Sequence, residues 1–436
     1  MSIIDPKGHH EKASTLSVPV VVSTTRRVEW ADAAKGLSIL GVCLMHIVTA
    51  APEGTTTAPG VVSSILDPLR MPLFFMVSGL FAQRVLERTF GDLWYRRLWF
   101  LLIPYLVFTP IQAWIRLEIM DQASFGNLIR AIIIGDPGLW FLHALMLYNI
   151  FAWLLRKQPA IVAVALSTVP LMIGAMVGWV EQQGFRQAVI YAPIFFIGLY
   201  FRSLMFTIAR RAFDPAMVLA TVSVFVLFEV FLRYAQANFF DGWDLVIISK
   251  ISLLGLVRTL TAIPFGIVLA VWLTYVPGVN RMLLFIGANT LPIYVSHHAM
   301  MALFFDVLTP KLIEMDANRW GNLYDTYPRM IVGLLACLIA GTIFYWIGKT
   351  PVLKWILYPP ALPGAKRHVQ KKVTSSAGGG VRKENGECDH QCRTVGGRSD
   401  KLFDRPLEFE APDPVGTWSV SGQQRKNPNG SAERES

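Results

Sequence analysis

Apolar residues in this chain come in runs too long and too unbroken to be one face of a water-soluble helix, and short polar stretches separate them. Ten such runs fall near residues 36–51, 63–83, 95–114, 139–155, 159–180, 187–205, 215–235, 252–275, 283–307 and 328–348. An α-helix needs about 20 apolar residues to cross a hydrocarbon core of ~30 Å. Inside that core the backbone must satisfy its own hydrogen bonds, and runs of this kind do so as helices. The pattern predicts an all-α polytopic bundle of about ten transmembrane helices within residues 26–358, behind a polar lead-in over 1–25. From about residue 359 the chain turns to Gly, Ser, Lys and Arg with few apolar side chains. Such a composition buries no core, so 359–436 reads as a disordered tail.

Bulk composition agrees: 53% of the 436 residues are hydrophobic and 16% charged, against about 25% charged in water-soluble domains. A net charge of +10 raises the question of a nucleic-acid partner, and the placement of the charges answers it. Arg84, Arg88, Arg96 and Arg97, then Arg156 and Lys157, then Arg202, Arg210 and Arg211, and finally Lys349 and Lys354 fall on one set of alternate loops. Glu118, Asp121, Asp136, Glu181, Asp241, Asp244, Glu314, Asp316 and Asp325 fall on the other. That asymmetry is the positive-inside pattern, and it predicts a multi-pass protein of the plasma (inner) membrane with both termini cytoplasmic. The basic partner is then the bilayer rather than nucleic acid. The first 30 residues are polar, unlike a cleavable signal peptide. Cys43 and Cys337 lie in spans and read as small packing residues. Cys388, His390 and Cys392 (CDHQC) form only a weak candidate metal cluster in the tail, and no metal is expected at the site.

Ionisable residues inside spans change the picture more. Lys35 and His46 lie eleven steps apart, almost three turns, so they share one stripe of the first helix about 16 Å apart along its axis. Ionisable groups within spans usually face a bundle interior and mark function. Ordered by depth on the expected topology, His46, Asp67, Arg70, Trp140, His143, Glu229, Arg233, Arg258, His297 and His298 collect in the outer half, with Ser78 deeper. Consecutive helical residues diverge by about 100°, so at most one of His297 and His298 is expected to face the site. The inner layer carries Lys35, with Asp32 beside it, and Arg96 and Arg97 next to Tyr95 and Trp99. Cations at a helix entrance suit a phosphorylated ligand arriving from the cytoplasm. For Arg84 and Arg88, simple topological anchoring is the better reading. Pro72 and Pro292 read as helix kinks.

These pieces, in this order, resemble the acyltransferase-3 family of integral membrane O-acyltransferases. They are the basic-x10-His stripe in DAAKGLSILGVCLMH, the second-span MPLFFMVSGLF, YRRLWFLLIPYL, WFLHAL, and Tyr294-x-x-His297. The resemblance covers about residues 27–350. It departs at Lys35, where many members carry Arg; Lys neutralises phosphate without the bidentate fork. What the resemblance implies is transfer of an acyl group, usually acetyl, from cytoplasmic acetyl-CoA to a hydroxyl of an envelope glycan or glycolipid at the outer face. Relatives modify O-antigens, periplasmic glucans, nodulation factors, macrolides and trehalose mycolates. On this reading His46 is general base or acyl carrier, and Arg70 or Arg258 stabilises the oxyanion. His297 joins the catalytic layer, and Lys35, Arg96 and Arg97 bind the donor. Asp32, Ser78, Trp140, His143, Glu229, Arg258 and Tyr294 line or support the acceptor side, with Glu229 orienting a histidine. Acetyl-CoA is the donor, with no permanently bound cofactor, and envelope export proteins are candidate partners. Trp140, Trp243 and Trp320 could stack on sugar or line the membrane interface.

The rival from another class is a multi-span transporter of an envelope precursor using an intramembrane His/Arg/Glu relay, although the basic-x10-His stripe occurs once and carriers favour paired halves. A scaffold whose charges only set topology is the third reading. The tail reading makes a prediction: removing residues after about 365 leaves membrane transfer intact, because no candidate site residue lies beyond the tenth run. Loss of acetylated product in cells whose truncated protein still reaches the membrane would contradict it.

Overall fold

The computed structural model describes residues 28–135, 139–177, 183–239 and 253–362. Both terminal segments, the CDHQC cluster, Trp243, Asp136, Glu181, Asp241 and Asp244 lie outside the described residues. Among the described residues the regular structure is entirely helical. The principal helices are α1 (Glu29–Ala50), α2 (Ala58–Leu80), α3 (Trp99–Ile119), α4 (Phe125–Ile134), α5 (Trp140–Leu154), α6 (Ala160–Val177), α7 (Gln183–Tyr200), α8 (Arg202–Arg210), α9 (Pro215–Phe239), α10 (Leu253–Leu273), α11 (Val279–Ala288), α12 (Thr290–Ala302) and α13 (Thr326–Ile347).

Each of the ten apolar runs is helical over most of its length. Seven helices among the described residues are long and apolar enough to cross a membrane, and a bent pair, Gln187–Tyr200 with Arg202–Arg210 at 77°, makes an eighth if taken as one span. The runs at 139–155 and 159–180 give shorter apolar helices.

Two runs differ from expectation in an instructive way. The first helix starts at Glu29 rather than near 36, because Ala31, Ala33 and Ala34 are all but fully buried and extend the helix into the core. Lys35 therefore sits in the second turn of this helix, its side chain 14% exposed. The ninth run breaks at Asn289 (φ −121°, ψ 36°), whose Nδ2 donates to the Phe285 carbonyl at 2.8 Å. After the break, α12 continues through a π-helical segment, Leu303–Leu308, into Thr309–Met315. Pro310 has no N–H to close an α-turn, and buried Thr309 donates its hydroxyl to the Phe304 carbonyl at 2.7 Å instead. Such wide turns often mark functional sites.

Lipid is as apolar as a leucine side chain, so helices in a membrane associate through close van der Waals packing, and small residues let backbones approach. The α1–α11 crossing rests on Gly36 and Gly287: a Cβ at Gly36 would run into the Leu283 carbonyl oxygen, and one at Gly287 into that of Asp32. The α2–α7 crossing repeats the device, with Gly79 against the Phe195 carbonyl and Gly198 against the Met76 carbonyl. Around it lies the main core, which includes fully buried Phe75, Met76, Phe195, Phe196 and Leu199.

The glycine crossing generates a prediction. Gly198→Val should force α2 and α7 apart, costing about 1–3 kcal/mol as overpacking does. A lower thermal midpoint in detergent and a smaller monodisperse peak on size exclusion are the expected readouts; a wild-type midpoint would show that the crossing is not tight.

Candidate active site

Three histidines meet where α1 packs on α12. The His46 ring centroid lies 5.4 Å from that of His297 and 5.1 Å from that of His298, the latter edge-on at 89°. His297 and His298 are 6.3 Å apart. Both α12 histidines thus contact His46, which corrects the expectation that only one could. A divergence of 100° along one helix leaves room for a ring from the opposing helix to sit between the two.

His297 is the more constrained. It is 3% exposed, and its Nδ1 lies 2.9 Å from the Ile293 carbonyl and 3.0 Å from the Tyr294 carbonyl. Carbonyl oxygens only accept, so Nδ1 carries the proton and Nε2 is left with a lone pair in the neutral ring. That Nε2 is buried without a hydrogen-bond partner. An acceptor nitrogen stranded in a core is costly unless something else uses it. Among the described residues no group of three or more His, Cys, Asp or Glu side chains is placed to hold a metal ion.

Next to the trio runs an ionic network joining α2, α9 and α10. Asp67 Oδ1 is 2.5 Å from an Arg70 terminal nitrogen and its Oδ2 is 3.0 Å from Arg258. Arg258 also grips Glu229 through two nitrogens, at 2.5 and 3.0 Å. Each of the three Arg258 nitrogens donates one hydrogen bond within the network, so this residue ties helices together. Glu229 spends both oxygens on Arg258, not on a histidine as anticipated. Arg70 is bound by Asp67 and, more loosely, by the Ser63 carbonyl at 3.3 Å. It packs on α1 where Gly41 leaves room: a Cβ at Gly41 would lie 3.2 Å from the Arg70 Cβ. Arg70 and Arg116 are close enough to act on His46 electrostatically.

The remaining sequence-derived residues scatter. Lys35 forms an ion pair with Asp32 at 2.7 Å. Arg97 donates to the Phe81 carbonyl at 3.2 Å and the Ser78 carbonyl at 3.3 Å, satisfying acceptors that the end of α2 leaves open. Arg96, half-buried, shares with Arg97 the π-helical segment Trp94–Leu98 that leads into α3. The Ser78 hydroxyl bonds back to the Phe74 carbonyl at 2.8 Å within its own helix. Tyr294 accepts the Phe141 N–H at 3.1 Å, a packing anchor for the start of α5. Trp140 joins an aromatic cluster with Phe75, Phe141 and Tyr191. His143 stacks on Tyr105 at 5.7 Å and is not part of the trio. Trp320 packs beneath the Arg319 guanidinium.

The sequence reading missed Gln112, Arg116 and Asp306. These residues line a cavity of about 380 Å³ together with His298. Gln112 and Arg116 are four apart and so share a helix face, and Asp306 is a lone carboxylate in an apolar run. Both signals stood in the sequence.

A family model described as an acyltransferase domain matches residues 28–348. The chain is 22% identical to "Inner membrane protein YcfT" of Escherichia coli (strain K12) over 392 residues, covering 77% of this chain and 97% of that protein. No solved structure matches.

The network predicts a sign reversal in stability. Glu229→Gln leaves Arg258 buried with one carboxylate for two guanidiniums, and breaking a buried pair costs about 3–5 kcal/mol. Adding Arg258→Met should recover much of that loss, since apolar replacement of a buried pair is often neutral. Thermal unfolding of the two variants checks this; equal or additive losses would mean that the pair is not coupled.

Proposed function

The chain belongs to the acyltransferase-3 family, and from that premise we propose that it moves an acetyl group from cytoplasmic acetyl-CoA to a hydroxyl of an envelope glycan or glycolipid at the outer face of the plasma membrane. The observation that carries the reading is the histidine trio, with an unpartnered acceptor nitrogen in its midst and a cation stripe on the same helix.

The chemistry follows from general acid–base catalysis. His46 accepts the proton of the acceptor hydroxyl as its oxygen attacks the thioester carbonyl. The tetrahedral oxyanion that forms is met by Arg70, whose side chain flanks α1. Its collapse breaks the C–S bond, and the proton held by His46 passes to the departing thiolate. His297 and His298 position the His46 ring and offer the nitrogen through which the proton can be shared. Lys35, aided by Arg96, supplies positive charge for the donor's phosphates. Arg97 holds the end of α2 that the donor would pass.

His46→Ala and His46→Gln should lower transfer by about 10²–10⁴, the usual contribution of a general base, with the protein still folded and in the membrane. Near-wild-type acetylation by either variant would remove His46 from the reaction. Lys35→Arg should keep activity because charge is retained, whereas Lys35→Ala should weaken acetyl-CoA binding. Unchanged donor affinity in detergent for Lys35→Ala would show that the phosphates are held elsewhere.

A further inference from the structure

The cavity beside His298 is formed between the last turns of α3 and the α12 helix with its π-helical extension. Its polar lining is Gln112, Arg116, His298 and Asp306, and its apolar lining includes Ile115 and Ala302. It touches the trio through His298, whose ring meets His46 at 5.1 Å. Arg116 stands nineteen residues beyond Arg97, about 28 Å along a helix, so the cavity lies close to a membrane thickness from the cationic stripe assigned to the donor.

The chemistry of the walls limits what fits. Arg116 offers donors and a positive charge, and Asp306 offers acceptors and a negative one. Gln112 spends its Nε2 on the Val295 carbonyl at 2.5 Å and leaves its side-chain oxygen as an acceptor. Asp306 lies within electrostatic reach of Arg329, yet among the described residues neither Arg116 nor Asp306 is held in a side-chain hydrogen bond or ion pair within 4 Å, so both have hydrogen-bonding capacity to give a ligand. An anionic guest would meet Asp306 and a cationic one Arg116, and each clash would cancel the attraction opposite. A hydroxyl both donates and accepts, so a ring of hydroxyls satisfies both walls, and its C–H face lies against Ile115 and Ala302. A volume of about 380 Å³ is at the small end of ligand sites, enough for one ring.

We propose that this cavity is the acceptor subsite, that it takes a single uncharged polyhydroxyl ring, and that Arg116 and Asp306 together set that preference. The assignment rests on the histidine trio being the place of transfer. It delivers the acceptor oxygen to His46 past His298, from the opposite end of the bundle to Lys35.

The test uses purified full-length protein in detergent, with methyl glucoside as the neutral probe, glucuronate as the anionic one and glucosamine as the cationic one, each titrated against thermal stability. Sugars stabilise proteins generally by exclusion from the surface, so the readout is the difference between variants at equal concentration. Wild type should be protected by methyl glucoside beyond either charged probe. Asp306→Asn should weaken that protection at least ~10-fold and gain a response to glucuronate. Arg116→Gln should weaken it equally and gain a response to glucosamine, an inversion that a merely structural role would not produce. Ala302→Trp, which fills the cavity, should abolish all three responses while acetyl-CoA still protects. Protection that is the same for all three probes, or that survives Ala302→Trp, overturns the proposal. Acetylated product in cells separates the two readings. Selective protection without product would sink the transfer reading alone, and product without selectivity would sink the subsite alone.

Discussion

Two carboxylates and two guanidiniums placed among apolar helices must sum to zero and satisfy one another, and the rest of the bundle is arranged around that requirement. A lone charge near a bilayer centre costs several kcal/mol. Asp67, Arg70, Glu229 and Arg258 avoid the cost by sharing: Asp67 bridges both arginines and Glu229 closes on Arg258. The arrangement links α2, α9 and α10, which hydrophobic packing alone would leave free to slide in lipid. It also holds Arg70 against α1 at Gly41, and so places one guanidinium beside the helix that carries His46.

Close backbone approach is the second constraint, and it works on the other half of the same helices. At Gly36 and Gly287 the α1 and α11 backbones touch, and at Gly79 and Gly198 those of α2 and α7 do. With α1 pinned by a glycine crossing near Lys35 and flanked by an arginine near Gly41, its last turns are free to meet α12. The helix break at Asn289 lets α11 follow α1 while α12 departs at its own angle. Without that break, one straight helix over 279–302 could not both cross α1 at Gly36 and present two histidines to His46.

Much of this was legible in the chain. Helix positions followed from apolar run length, and His46 stood out because a membrane interior makes an idle imidazole expensive. The resemblance picked out His297 by its spacing from Tyr294. What periodicity could not supply was pairing. Glu229 and Arg258 lie 29 residues apart on different helices, and nothing in either run says that the carboxylate closes on an arginine instead of a histidine. Likewise Arg97 looked like a free cation at an entrance, yet it is committed to carbonyls that exist only because α2 ends at Leu80. Depth along a helix reads from sequence; azimuth between helices does not. The Gln112–Arg116 pair escaped for a different reason. Its i, i+4 spacing was visible, but the third apolar run, 95–114, ends between the two residues and leaves Arg116 outside it.

The distance along α1 constrains the donor on the proposed function. Lys35 and His46 lie about 16 Å apart on one stripe, so a donor whose anionic end is held at Lys35 must extend a thin arm that far before its acyl carbon reaches the histidine. A compact acyl phosphate could touch one end or the other, never both. A thioester carried on a long flexible arm meets the requirement. If the cavity at His298 takes the acceptor, as proposed, its hydroxyl and the acyl carbonyl of the donor would approach His46 from opposite directions, neither blocking the other's path.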